Sequence, residues 1–464
     1  MTPTKRSNRI TGGLLVAITG LVVLKEWGLG SLPHLLLPWA IIAATLLLAL
    51  QVRAGRYAFA LVALGLTLAL AVTQADWLSV TERALQTSAF IVAFFCALST
   101  LRSAASTSPS IRAAGRFLAQ QPPGRRYLAL TLGGQMFSLL LNYGAIALLG
   151  GLATASADEE KDPEIRRHRT RRMLLAIQRA FTSTLPWSPM SFAVAITTAL
   201  IPGATWAGVV LPGMITSVLM AGTGWALDTL FKPRLSQPRP PVKPPEGTWA
   251  LLLPLVQLLA ILVASIVVLH EVTTVRVVGM VMLIVPTIAL VWSLLQARNA
   301  QSTISLSQRV GGFAFGELPE FRGEILLLMM AGYIGTVGAP LLGPVLAGLG
   351  LDLAALPTTV LLVSFVWIIP LAGQLGMNPI LAVTLMAPLI PTPEALGLPP
   401  TAVVVALTSG WALSGVTSPF TATTLLIGGF GKVSAAHVGL VWNRGYALAT
   451  GIILSAWVLL IAQL

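Results

Sequence analysis

Residues 127–157 read YLALTLGGQMFSLLLNYGAIALLGGLATASA, and the way this charge-free, Gly-rich stretch meets a bilayer decides the fold. A single straight membrane helix needs about 20 apolar residues. This stretch is longer and has a polar centre, Asn142-Tyr143-Gly144, with Arg125-Arg126 before it and the charged run Asp158 to Arg172 behind it. Two readings are open. One is a re-entrant hairpin of two half-helices that enter and leave on one face, with Asn142 at the tip. The other is one long tilted helix that tolerates an Asn. The hairpin makes the tip a candidate site, because non-helical backbone at membrane depth survives only where protein buries it or where it lines a water-filled cavity.

Composition supports a membrane setting for the whole chain. Of its 464 residues 55% are hydrophobic and 10% charged, against about 25% charged in a soluble domain. Apolar segments recur from Gly12 to Leu464, which leaves no room for a soluble catalytic or nucleotide-hydrolysing domain. The net charge of +13 sits in short loops, where positive-inside bias accounts for it, so no nucleic-acid partner is expected. The single Cys96 excludes an intramolecular disulfide. The N-terminal run behind Lys5, Arg6 and Arg9 lacks a small-x-small site before Lys25-Glu26, and it reads as a retained first helix.

The expected architecture is an all-α polytopic membrane protein of about 11 transmembrane helices plus two re-entrant hairpins, in two repeats of inverted topology. Residues 1–77 form a three-helix segment. Residues 78–231 form the first repeat, with a cytoplasm-facing hairpin (127–157) and a broken helix (172–202) interrupted by Leu185-Pro186-Trp187-Ser188-Pro189. Two prolines so close remove two backbone donors and unwind a helix. The charged run Asp158 to Arg172 reads as a solvated loop. Residues 232–248 hold a Pro-rich cytoplasmic linker. Residues 249–323 supply two helices and an interfacial helix. Residues 324–464 form the second repeat, with an outward-facing hairpin (357–389) broken at Gly373 to Pro379 and a broken helix (400–430).

The repeat is visible in the residues themselves. Asn142 precedes Ser188-Pro189-Met190-Ser191, and Asn378 precedes Ser418-Pro419-Phe420-Thr421 at a similar spacing; the charged loop of the first half accounts for the difference. With a cytoplasmic N-terminus only Lys25, Arg83 and Arg276 fall outside, and Arg179 and Arg444 lie in span ends. Inverted repeats with broken helices meeting near the midplane are the architecture of secondary transporters, in which half-helix N-termini suit anions and unwound carbonyls suit Na+.

SLLLNYGAIALLGGL (138–152), GMNPILAVTLMAP (376–388) and LTSGWALSGVTSPFTATT (407–424) resemble the first hairpin, second hairpin and second broken helix of the ion transporter superfamily. That group includes divalent-anion:Na+ symporters and the large membrane subunit of tripartite periplasmic transporters. The resemblance implies a substrate site at Asn142, Ser188, Asn378, Ser418 and Thr421, and Na+ sites drawn from Asn142 with Thr184 and from Asn378 with Thr417. It also implies a homodimer. Dicarboxylate symporters of the group carry Ser-Asn-Thr at each tip, whereas here Leu141 and Tyr143 flank one Asn and Met377 and Pro379 the other.

Each of these residues has a plainer fate. The hydroxyls can bond their own helix backbone, and each Asn needs only a neighbouring carbonyl. Arg179 is expected to snorkel to the interface, and Asp228 to pair with Lys232. The four histidines are scattered without metal-ligand spacing, and no carboxylate lies at predicted mid-membrane depth, which favours Na+ over proton coupling. The sequence reads as a secondary active transporter of the cytoplasmic (inner) membrane, not an enzyme. It moves a small anionic organic solute, with no cofactor beyond Na+ and lipid around it. The alternatives are a membrane subunit that works with a periplasmic binding protein or a small membrane subunit, and a membrane-embedded enzyme.

Overall fold

The computed structural model describes residues 5–52, 54–106, 108–233, 235–236, 245–298, 305–350 and 353–464. Among them the chain is all-helical, with no strand. In order it forms α1 (Lys5–Glu26), α2 (Leu32–Ala49), α3 (Ala54–Thr73), α4 (Trp77–Ser106), α5 (Pro109–Ala119), α6 (Pro123–Leu141), α7 (Tyr143–Asp158), α8 (Pro163–Thr184), α9 (Phe192–Leu200), α10 (Trp206–Leu230), α11 (Leu253–Val272) and α12 (Val277–Arg298). Then come α13 (Leu306–Gly312), a π-turn (Phe313–Glu317), α14 (Leu318–Glu320), α15 (Arg322–Gly348), α16 (Thr358–Gln374), α17 (Pro379–Met386), α18 (Pro400–Thr417), α19 (Ala422–Gly431), α20 (Ala435–His437), a second π-turn (Val438–Trp442) and α21 (Arg444–Ile461). Most of the Pro-rich linker expected at 232–248 lies outside the described residues.

Ten helical spans are long and apolar enough to cross a membrane among the described residues, one fewer than the sequence suggests. The missing one is 172–202. Its first half, α8, starts in the charged run at Pro163 and its second half, α9, has 9 residues, so neither qualifies alone. The start of α8 also corrects the loop expected over Asp158 to Arg172. Asp162 caps the helix, its Oδ1 accepting the N–H groups of Glu164 (2.8 Å) and Ile165 (3.2 Å). Pro163 fills the first position, where a missing N–H costs nothing.

Burial separates the spans by role. Protein encloses 89% of the most apolar window of Pro400–Gly431, but 11% of that of Gly55–Thr73 and 22% of that of Trp249–Val272. Helices such as α3 and α11 therefore turn apolar side chains outward, as lipid-facing helices do. Among these spans the broken helix is the most enclosed.

The helices fall into two compact units. One holds residues 1–104, 264–355 and 380–391. In it Ser88 Oγ donates to the Met329 carbonyl (2.9 Å), Thr67 and Tyr333 share a hydroxyl hydrogen bond (2.9 Å), and Arg276 grips Glu26. The backbone of α15 lies so close to α17 that a methyl group on Gly335 would overlap Thr384 Oγ1.

The other unit holds residues 105–263, 356–379 and 392–464. It contains α5 to α10, α16 and α18 to α21, and with them every residue singled out as a candidate site. Helices α16 and α17, the two arms of the hairpin expected at 357–389, thus belong to different units.

Candidate functional site

The first hairpin has the tip its sequence suggests. Helices α6 and α7 are joined by one residue, Asn142, at φ 50° and ψ −132°, so the single long tilted helix is not what forms. Glycine adopts such a backbone freely and an L side chain only at a cost. Asn142 meets that cost in part by capping α7, its Oδ1 accepting the Tyr143 N–H at 2.9 Å. The hydrogen bonds of Asn142 among the described residues do not include Ser188 or Thr184. The tip reaches α8 through its neighbour instead, with the Tyr143 ring 4.9 Å from that of Phe181, one turn before Thr184.

The first broken helix also forms where its prolines require it. α8 stops at Thr184 and α9 starts at Phe192. Within the break Ser188 Oγ accepts the Met190 N–H (3.2 Å), and Ser191 Oγ donates to the Leu185 carbonyl (2.8 Å) while accepting the Ala193 N–H (3.1 Å). Ser188 and Thr184 are buried. Thr184 Oγ1 gives its proton to the Phe181 carbonyl (2.7 Å), leaving oxygen lone pairs as its remaining capacity. Helix α10 braces the break: Trp206 Nε1 donates to the Trp187 carbonyl (3.0 Å), and any side chain on Gly213 would overlap the Pro186 carbonyl.

The second half of the chain forms a turn and a break of its own with other residues. α16 ends in a Schellman motif: the Met377 N–H bonds the Ala372 carbonyl (3.1 Å), the Gly376 N–H bonds Gly373 (3.2 Å), and Gly376 sits at φ 88°. That geometry delivers Asn378, half-buried, to the start of α17. Across the turn Ser418 Oγ, 1% exposed, donates to the Gly373 carbonyl at 2.6 Å. The Ser418 carbonyl in turn accepts Thr421 Oγ1 (3.0 Å) and Thr424 Oγ1 (2.6 Å). Thr417 Oγ1 donates to Leu413 (2.8 Å) within its own helix. As in the first break, a glycine admits the freed backbone: a side chain on Gly439 would overlap the Thr417 carbonyl.

The helices that lead into the two breaks, α8 and α18, are in contact. Gln178 of α8 donates to the Gly415 carbonyl of α18 (3.3 Å), and Gly415 is tight against Thr182. Of the predicted residues, Ser418 and Thr421 are thus joined directly, and α8 is joined to α18 through Gln178. The oxygens of Gly373, Ser418 and Ser414 cluster at the second break, and Ser414 Oγ is enclosed without a hydrogen-bond partner. Hydroxyl and carbonyl oxygens of this kind suit Na+. No group of three or more His, Cys, Asp or Glu side chains that could hold a metal occurs among the described residues.

Sequence reasoning missed Gln178, Ser414 and Asn443, and it misplaced two charges. Arg179 does not snorkel: it is 5% exposed, held by Asn443 and Tyr127. Asp228 pairs with Arg172, not Lys232, in a bidentate contact of 2.7 and 2.5 Å.

No family model matches the sequence, and no curated protein matches it. Solved structures do share its fold. The YdaH transporter of Alcanivorax borkumensis superposes with a TM-score of 0.59 at 17% identity, covering 87% of this chain and 98% of that one. MtrF of Neisseria gonorrhoeae, whose structure illuminates a class of antimetabolite efflux pumps, gives 0.55 at 16% identity over 88% of this chain and 96% of that one. The chain has the fold of a multi-pass membrane transporter.

Proposed function

We propose that this chain is a secondary active transporter of the cytoplasmic membrane that moves a small anionic organic solute, driven by Na+, by alternating access. The observation that carries this reading is the pair of broken helices, linked by the Gln178–Gly415 hydrogen bond between α8 and α18, with buried hydroxyls at each break. An irregular backbone costs stability at membrane depth, and two such breaks in the most enclosed part of the unit are what an internal binding site requires.

Within this reading Asn142, Ser188, Asn378, Ser418 and Thr421 contribute to the solute site. Na+ is taken by oxygens of Asn142 and Thr184 at one break and of Asn378 and Thr417 at the other, with Ser414 Oγ and the Gly373 carbonyl added to the second. The resemblance to the ion transporter superfamily and the shared fold with solved transporters support this. A homodimer and a cytoplasmic N-terminus belong to the same proposal.

Thermal stability of the purified protein in Na+ or choline, with a panel of small carboxylates and oxyanions, tests it. A ligand present at a hundredfold excess over its Kd stabilises by about 2.7 kcal/mol. A Na+-dependent shift for one solute class, lost in Asn142→Ala or Asn378→Ala, is expected. Variants that respond like the parent would remove the hairpin tips from the site.

A further inference from the structure

Among the described residues Arg179 is the most deeply buried charged residue, at 5% exposure. Its company is neutral. Nε–H donates to Asn443 Oδ1 (3.1 Å), Nη1–H donates to Tyr127 Oη (3.2 Å), and the guanidinium lies 4.3 Å from the centroid of the Tyr446 ring. The carboxylate on the neighbouring helix α10, Asp228, is committed to Arg172. No ion pair to Arg179 exists among the described residues.

A guanidinium stays protonated and has five N–H donors. Two are used here, so one on Nη1 and both on Nη2 have no protein acceptor among the described residues. Tyr127 accepts from Arg179 and has its own O–H left to give. The enclosed polar atoms that lack a partner include none of Arg179, so its free edge is not sealed off. A buried cation without a counter-charge is costly unless something anionic completes it, and a planar fork with adjacent free N–H groups matches an oxyanion.

The surroundings keep the fork in place. Asn443 holds Arg179 with its oxygen and passes its own N–H to Gln178 Oε1 (2.9 Å), and Gln178 donates to the Gly415 carbonyl beside the second break. One chain of hydrogen bonds therefore runs from the Arg179 guanidinium to the backbone of α18, two residues before Thr417. On the other side α10 contributes Gly224, where a Cβ would come within 2.6 Å of Tyr127 Oη. Any larger residue there would displace the phenol.

We infer that Arg179 and Tyr127 form the anion-recognising pair of the transport site, taking the carboxylate or other oxyanion group of the solute. The inference rests on the transporter reading above. It assigns the solute's charge to α8 and leaves the hairpin tips and breaks to the cation and to the rest of the solute.

The test uses the full-length protein in phosphatidylcholine nanodiscs, with the sodium salts of acetate, succinate, benzoate, phosphate and sulfate against acetamide, succinamide and benzamide. At least one anion is expected to raise the unfolding midpoint, and its neutral amide is not. Arg179→Gln should weaken that anion about a hundredfold, equivalent to about 2.7 kcal/mol, without lowering the midpoint of the unliganded protein. Arg179→Lys, which keeps the charge and loses the fork, and Tyr127→Phe should each weaken it about tenfold. A folded Arg179→Gln or Tyr127→Phe variant that binds the anion like the parent would overturn the inference. So would stabilisation that appears only when phosphatidylglycerol is added to the nanodiscs, which would make the ligand a lipid headgroup. If Arg179→Gln keeps a response that Asn142→Ala or Asn378→Ala removes, the inference falls and the transporter reading stands. If the parent responds to no solute, both fall.

Discussion

Replacing Asn142 by Gly and by Ala separates what this residue does for the backbone from what it does for a ligand. At φ 50° and ψ −132° an L side chain in a left-handed conformation costs about 1–2 kcal/mol, and glycine removes that cost. The Oδ1 cap on the Tyr143 N–H is worth about 0.5–2 kcal/mol against Ala but only a few tenths against Gly. Asn142→Ala therefore loses the cap and gains no backbone relief, for a net destabilisation of about 0.5–2 kcal/mol. Asn142→Gly trades a small capping loss for relief of about 1 kcal/mol and should match or exceed the parent. Thermal unfolding in detergent without Na+ or solute should place the two variants a few degrees apart, with Gly above Ala. In Na+ both should lose part of the parent's increment, because neither carries the amide oxygen. Equal midpoints for Gly and Ala, or a Gly variant clearly below the parent, would refute the conformational argument. A Gly variant that keeps the full Na+ increment would refute the ligand role.

Other expectations can be checked alongside. Ser414→Ala removes an enclosed hydroxyl without a partner, so the unliganded protein should be unchanged or slightly more stable while its Na+ response falls. Gly213→Val and Gly439→Val force a side chain into the Pro186 and Thr417 carbonyls and should each destabilise by about 1–3 kcal/mol or more, read as a lowered unfolding midpoint. Asp228→Asn should destabilise more than the double change Arg172→Met with Asp228→Leu, because the single change leaves a partly buried cation uncompensated; the reverse order of midpoints would deny the pair its role.

The features legible in the sequence are those set by local chemistry. Pro186 and Pro189 cannot continue a helix, so the break after Thr184 follows from the chain itself, whereas the sequence left the turn at Asn142 open against one long tilted helix. The second break and the turn at Gly376 follow in the same way from Pro419 and from a glycine at positive φ. The features that were not legible depend on partners remote in sequence. Asn443 reaches Arg179 across 264 residues and Tyr127 across 52, so an arginine that looks able to reach the interface is instead captured. Asp228 chose Arg172 over the nearer Lys232 because α8 and α10 pack side by side. The charged run after Asp158 looked like a loop because charge density hides a cap; Asp162-Pro163 was the signal that a helix begins there.

Uptake by the purified protein reconstituted in liposomes tests Na+-coupled transport most directly. With a panel of radiolabelled small carboxylates, an inward Na+ gradient should drive accumulation of one of them above equilibrium, choline in place of Na+ should abolish it, and Asn378→Ala should reduce it. Accumulation that is indifferent to the Na+ gradient would contradict Na+ coupling, and an absence of uptake for every solute would contradict a stand-alone carrier.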